Sequence, residues 1–415
     1  MRIIHLTDLY PPVHGGLETQ LEYLCQELVA RGHEVDVVTL ASRGSISEEL
    51  RSGVRVHRIS GWSRALRPLY EDPLRPFHPT LPDPGIVAAL ARIVRQRRPD
   101  VVHGHSWITY SALPLLPTGT TALVLGLHDF GFTCAKKTYI FQNQVCSGPA
   151  LGKCIGCAAE QYGRARAAAL AVGLASTWRW LRKADRIVAN SRAVAEACDR
   201  LRPPGAPPIE LVPPFLPAPV LEGLRGPRPD FVPQTGSYIL FAGGPSPHKG
   251  LPVLLQAWQR LPGKVPLVLA GVSRESTPYP IPDAVRMVGQ VPHRDVLAAW
   301  GHCTVAVVPS IWPEPFGLVA LEAMAAGRPL VVARAGNLPD LVTDGENGLV
   351  VEPGDVDQLA AALTRLLRDP GMRAAMGASG RLRAAQFTAK SVVPRLESVY
   401  LQARERRLAL RPGPG

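Results

Sequence analysis

Two glutamates, Glu314 and Glu322, stand eight positions apart in Pro313-Glu314-Pro315-Phe316-Gly317-Leu318-Val319-Ala320-Leu321-Glu322-Ala323-Met324-Ala325-Ala326-Gly327. Between Phe316 and Gly327, Glu322 is the only charged residue. A carboxylate in such surroundings is costly to bury without donors, and ligand hydroxyls would supply them. The segment follows an apolar strand and reads as a loop carrying Glu314, then a helix from near Phe316 to Gly327. Six helical residues from Phe316 to Glu322 rise about 9 Å. That separation disfavours two carboxylates flanking one bond, which in a retaining glycosidase lie about 5–5.5 Å apart. The pair instead suits two grips on one elongated ligand. The free amides of Phe316, Gly317 and Leu318 between them form an anion site at the helix start. A hydroxyl grip, a phosphate cradle and a second hydroxyl grip suit a nucleotide sugar. The plainer alternative is one solvent-facing glutamate and one core-edge glutamate on a structural helix.

Other chemistry-bearing residues lie in the first half. His128-Asp129 ends a strand and so points toward a ligand edge. His105 ends the preceding strand, where a histidine is as readily structural. Cys134, Cys146, Cys154 and Cys157 are four of seven cysteines and end in Cys-x2-Cys, a spacing suited to a tetrahedral site. In a reducing compartment such thiols point to a structural Zn2+; disulfides, an iron–sulfur centre or unlinked thiols are the alternatives. Cys25, Cys198 and Cys303 fall in helix or strand patterns and read as core thiols. Residues 164–182 mix Arg164, Arg166, Arg179 and Arg182 with Trp178, Trp180 and an apolar run, continuing into Lys183. A basic helix of this kind either lies on an anionic membrane surface or shows a solvated face.

These residues need a frame, and the apolar pattern supplies one. Strands are expected at 2–7, 34–39, 54–58, 101–103, 121–125, 186–189 and 210–213, with helical stretches between most of them. After a Pro-rich segment the alternation restarts at 238–242, 265–270, 304–308 and 330–333, with helices from Gly250 and after Asp355. Such alternation gives parallel sheets covered on both faces. The expected organisation is an acceptor-side domain at 1–215 with a Cys-rich insertion at about 130–160, a linker at 216–235 and a second domain at 236–388. A helix crossing back and a frayed tail occupy 389–415. A dinucleotide site is excluded, because the first loop has Gly15-Gly16 but no G-x-G-x-x-G.

Composition agrees. The 415 residues carry 46 basic and 34 acidic side chains, 46% hydrophobic and 19% charged, an ordinary globular balance. Seven of the basic residues are lysine and the rest arginine. No helix-turn-helix, zinc-finger or RNP pattern occurs, so nucleic acid is not an expected partner. Residues 106–127 are uncharged, but Pro114, Pro117 and Gly119 break them into a helix and a strand. With no leader pattern at Met1-Arg2, the expected setting is cytoplasmic.

The Glu-x7-Glu segment resembles the signature of retaining glycosyltransferases of family 4. The similarity extends to Gly15-Gly16-Leu17-Glu18, to Asp185 through Ser191, and to Gly336 through Pro353. The resemblance implies a GT-B fold, two Rossmann-like parallel-sheet domains facing each other across a cleft. It further implies a nucleotide diphosphate sugar donor, retention at the anomeric carbon and no cofactor required for catalysis. Carried over residue by residue, Glu314 would contact the donor sugar, Glu322 the ribose hydroxyls and Lys249 the leaving diphosphate. Gly15 and Gly16 would form the glycine loop beside the donor. His128 would approach the sugar through its ring or its backbone carbonyl. One departure stands out: Gly243-Gly244-Pro245 replaces the family's Gly-Arg-Leu, so a second phosphate cation must come from elsewhere, with Arg274 and His248 as candidates. The expected activity is hexosyl transfer to a hydroxyl of a glycan, a lipid-linked or a small-molecule acceptor, with peripheral membrane contact if lipid-linked. A nucleotide-sugar epimerase and a catalytically idle sugar-nucleotide-binding partner are the rival readings.

Overall fold

The computed structural model describes residues 1–13, 15–41, 47–63, 65, 76, 78–263 and 265–410, without the side chain of Trp178. The tail expected to fray lies outside the described residues at 411–415. The chain forms two units, one of residues 1–213 with 390–415 and one of residues 214–389.

In the first unit, apolar runs give β1 (Arg2–Thr7), β2 (Glu34–Leu40), β3 (Ser47–Arg51) and β4 (Val54–Ile59). Then come β5 (Val101–Gly104), β6 (Ala122–Leu127) and a small hairpin of β7 (Ile140–Phe141) and β8 (Gln144–Val145). β9 (Arg186–Ala189) and β10 (Ile209–Leu211) complete the set. The main sheet has the order β10-β9-β6-β5-β1-β2-β4-β3 and is parallel except for β3 against β4. β3, absent from the sequence pattern, is exposed along its whole length, with Glu48 and Glu49 paired to Arg55 and Arg58 of β4. At the other margin Arg395 donates to the carbonyl of Leu211 at 2.8 Å.

β1, β5 and β6 carry a polar layer inside this core. Registration places His5 beside His103, and alternation puts His105 and His128 on the same face. His5, His103 and His105 are buried. Tyr400 of helix Ala389–Ala409 shares a hydrogen bond with His103 Nδ1 at 2.8 Å. Glu397 and Arg407 of that helix bond His33 and buried Asp185, which ties the helix to this unit. Gly126 has no Cβ because one there would lie 2.8 Å from both His103 Nε2 and His128 Nε2.

The second unit holds β11 (Ile239–Ala242), β12 (Leu267–Ala270), β13 (Arg286–Gly289), β14 (Val305–Val308), β15 (Leu330–Ala333) and β16 (Leu349–Val351). Its sheet is wholly parallel, in the order β13-β12-β11-β14-β15-β16. Asp355, expected before a helix, caps Val356–Arg368 by accepting from the amide of Gln358. Residues 216–235, expected as a linker, are folded into this unit. Helix Ala218–Gly223 packs on helix His293–His302, and Leu216, Val220, Leu224 and Val232 are buried. Their apolar side chains find a core that the proline content concealed.

The basic stretch is two elements, helix Arg164–Thr177 and a 3-10 helix, Trp178–Lys183. In the first, Ala167, Leu170, Ala171 and Leu174 turn the apolar face into the core. No helix among the described residues is long and apolar enough to cross a membrane.

Filling the space at Gly126 should be felt throughout the polar layer. Gly126→Val is expected to cost about 1–3 kcal/mol, as overpacked cores do, measured by urea unfolding. Wild-type stability would show that the histidines have room to retreat.

Candidate active site

In the second unit, the site is built where β14 ends. Its continuation, Pro309-Ser310-Ile311-Trp312, brings a hydroxyl and a ring to the carboxyl edge of the sheet. Glu314 follows, 6% exposed. Its Oε1 accepts from Lys249 Nζ and from Ser310 Oγ, each at 2.7 Å. Lys249 also lies 4.7 Å above the centre of the Trp312 ring, which packs beside His248. Two donors, one of them a cation, make the buried carboxylate tolerable. In the ligand-free chain the charge of Lys249 is thus opposed by Glu314.

The next strand fixes the other side of Glu314. Gly336, at φ +57°, presses against the backbone of Pro313 and Glu314, where a Cβ would collide. Asn337 donates its amide to Glu314 O at 2.9 Å and its side chain to Phe316 O at 3.0 Å. Phe316 is buried against Phe387.

The helix begins later than its sequence pattern suggests. It spans Leu318–Ala325, with Gly317 as its cap at φ +97°, so Phe316 lies outside it. Four residues separate Leu318 from Glu322, a rise of about 6 Å rather than 9 Å. The amides of Phe316, Gly317 and Leu318 make no hydrogen bond within the described residues and remain available at the helix start. Glu322, 8% exposed, has a protein partner that the sequence did not reveal: His293 Nε2 meets its Oε1 at 2.8 Å. That bond raises the pKa of His293 against the opposing pull of burial. Both carboxylates are therefore held by one oxygen, and Oε2 of each has no hydrogen-bond partner among the described residues.

Of the two candidates to replace the missing phosphate cation, Arg274 is exposed and paired with Asp283 at 2.7 Å. His248 adjoins Lys249, and its pKa is lowered by burial and by that lysine. His248 is therefore neutral near pH 7 and can offer a hydrogen bond but no charge.

In the first unit, Gly15 caps helix Gly16–Ala30 with an extended backbone, which places both glycines at a helix start. His128 follows β6. Asn190 Nδ2 donates to its carbonyl at 2.8 Å, and His105 Nδ1 meets its Nε2 at 2.7 Å. The pKa of His128 is lowered to about 4, chiefly by burial. A neutral ring of this kind can position or hydrogen-bond a substrate but is a weak base near neutrality. Ser191 caps helix Arg192–Asp199 by accepting from the Val194 amide, a structural role.

The four cysteines of the insertion line one small cavity with Tyr139, Ile140 and Phe141. They are unpaired, and no three of their sulfurs converge within metal-binding reach. Burial raises the Cys134 and Cys157 thiols above their ordinary range. The four cysteines expected to hold a structural Zn2+ thus share the lining of one cavity. Cys25, Cys198 and Cys303 are buried, as expected.

Comparison with known proteins matches residues 14–218 to Glycosyltransferase Family 4 and residues 228–383 to Glycosyl transferases group 1. A D-inositol 3-phosphate glycosyltransferase of Kineococcus radiotolerans is 31% identical over 98% of this chain and 96% of its own. A glycogen synthase of Mycobacterium tuberculosis is 28% identical over 97% and 95%. The fold resembles Anabaena HepE, solved in complex with UDP-glucose, with a TM-score of 0.64 and 20% identity over 96% of this chain and 99% of that one.

Three outcomes test this geometry. Lys249→Ala strands a buried carboxylate whereas Glu314→Gln does not. The first should cost more stability in urea unfolding, somewhat less than the ~3–5 kcal/mol of a fully buried pair because the Lys249 side chain is 29% exposed. Gly336→Ala should destabilise by about 1–3 kcal/mol and lower activity by displacing Glu314. The raised pKa of His293 means its contribution is full below its unfolded value of about 6.5 and is lost as pH rises through the folded value. Stability measured from pH 6 to 8 should therefore fall more in the wild type than in His293→Ala. Equal slopes would refute the His293–Glu322 linkage.

Proposed function

Because this chain belongs to the glycosyltransferases of GT-B fold, a transferase class of EC 2.4, we propose that it moves a hexosyl group from a nucleotide diphosphate sugar to an acceptor hydroxyl with retention of configuration. The observation that carries this reading is the pair of buried carboxylates, each anchored through one oxygen and each with the other free to accept. Glu314 Oε2 suits a sugar hydroxyl and Glu322 Oε2 a ribose hydroxyl, with the Phe316–Leu318 amides between them for phosphate. The complex of HepE with UDP-glucose supports a donor of this class.

The reaction balances without a base from the protein. The bond between the anomeric carbon and the diphosphate oxygen breaks. The acceptor oxygen bonds to that carbon from the same face, and its proton passes to the departing phosphate. Charge on the leaving group is met by Lys249 and the helix-start amides, so the scheme requires no metal cofactor. As the donor enters, Lys249 is shared between Glu314 and the diphosphate. His128 serves as a neutral hydrogen-bonding group and Asn190 holds its carbonyl. The acceptor is a glycan, a lipid-linked or a small-molecule hydroxyl, and the setting is the cytoplasm.

A panel of nucleotide sugars should raise the melting temperature selectively, since a ligand bound only by the folded chain stabilises it. With the donor so found, the anomeric configuration of the product by NMR should match that of the donor. Glu314→Ala and Lys249→Ala should lower kcat/KM by 100-fold or more, about 2.7 kcal/mol. Inversion would refute retention, and epimerised donor without acceptor would favour an epimerase. Absence of donor hydrolysis and transfer would favour an idle binding partner.

A further inference from the structure

We propose that His5, His103 and His105 form a binding site for a divalent first-row transition-metal ion of the zinc type, one hydrogen bond from His128. These are the side chains among the described residues whose ligand atoms converge, all lying within 4.8 Å of one another. Their ring centroids are 4.0 Å (His103 to His105), 5.1 Å (His5 to His105) and 5.5 Å (His5 to His103) apart. All three rings are at most 3% exposed.

The hydrogen bonding of the cluster is incomplete where a ligand would sit. His5 Nε2 and His103 Nε2 are buried with no hydrogen-bond partner among the described residues. A buried polar atom left unsatisfied costs about 1–3 kcal/mol, and two in neighbouring rings ask for an explanation. Imidazoles bind metals as neutral rings. The far sides are already steadied as ligating histidines usually are: Tyr400 OH holds His103 Nδ1 at 2.8 Å and His128 Nε2 holds His105 Nδ1 at 2.7 Å. His105 Nε2 now shares a proton with His5 Nδ1 at 2.8 Å. On binding, His105 would exchange that contact for the ion. No carboxylate belongs to the trio, and an all-nitrogen set selects zinc-like ions over calcium or magnesium. A bound ion would join β1 to β5 and, through Tyr400, both to helix Ala389–Ala409.

The test uses the full chain, stripped with a chelator, dialysed and titrated with Zn2+ or Co2+. One equivalent should bind and raise the melting temperature. The cobalt form should show the visible bands of low-coordinate nitrogen ligation without thiolate charge transfer. His5→Ala and His103→Ala should each weaken binding more than about tenfold. The fourfold Cys134, Cys146, Cys154 and Cys157 to serine variant should bind as wild type. Should the histidine variants fail to fold, imidazole 15N shifts of the wild type with and without Zn2+ decide instead, with movement at all three rings expected. No binding, binding unchanged in the histidine variants, a thiolate band, or unmoved imidazole shifts would overturn the proposal.

Discussion

A carboxylate removed from water must be answered by donors, and the second unit is arranged around that demand at Glu314. Lys249 arrives from the loop after β11, Ser310 from the end of β14, and Gly336-Asn337 from the end of β15. Three strand ends thus converge on one side chain and its backbone. This convergence is possible because parallel neighbours present their carboxyl ends to the same edge. The arrangement also sets the resting charge: Lys249 lies against Glu314, which spares the chain an uncompensated buried charge.

Much of the frame was readable because parallel strands buried on both faces leave unbroken apolar runs. β1, β9 and β15 fall at the ends expected of them. What escaped detection has physical reasons. β3 is an edge strand whose side chains all meet water, so no apolar alternation marks it. The helix that carries Glu322 starts after Gly317 because a left-handed residue interrupts the pattern that begins at Phe316. His293 is 29 positions from the carboxylate it serves, and nothing local advertises such a pairing. Ser310 was more accessible: a hydroxyl two residues beyond an apolar strand, four residues before a glutamate, is a position worth testing. In residues 216–235 proline frequency outweighed the spaced apolar side chains, which were the better guide.

The histidines of the first unit show a similar limit. His103 and His105 alternate at strand spacing and so share a face, yet their partner His5 comes from a strand a hundred residues earlier. Only the β1–β5 register unites them. The imidazoles occupy a stretch of sheet that apolar residues would ordinarily fill, and Gly126 yields the volume they need. The insertion's cysteines lie closer together in sequence, and all four line one cavity as unpaired residues.

The margins of the larger sheet carry a consequence for solubility. An open row of backbone donors and acceptors invites a foreign strand to add laterally, the first step toward aggregation. At one border the five residues of β3 are short and flanked by carboxylate–guanidinium pairs that a stacking neighbour would have to strip of water. At the other, β10 is three residues long and Arg395 occupies one of its outward carbonyls. Both borders of the eight-stranded sheet thus end on short strands flanked by charged side chains, which disfavours lateral addition of a further strand.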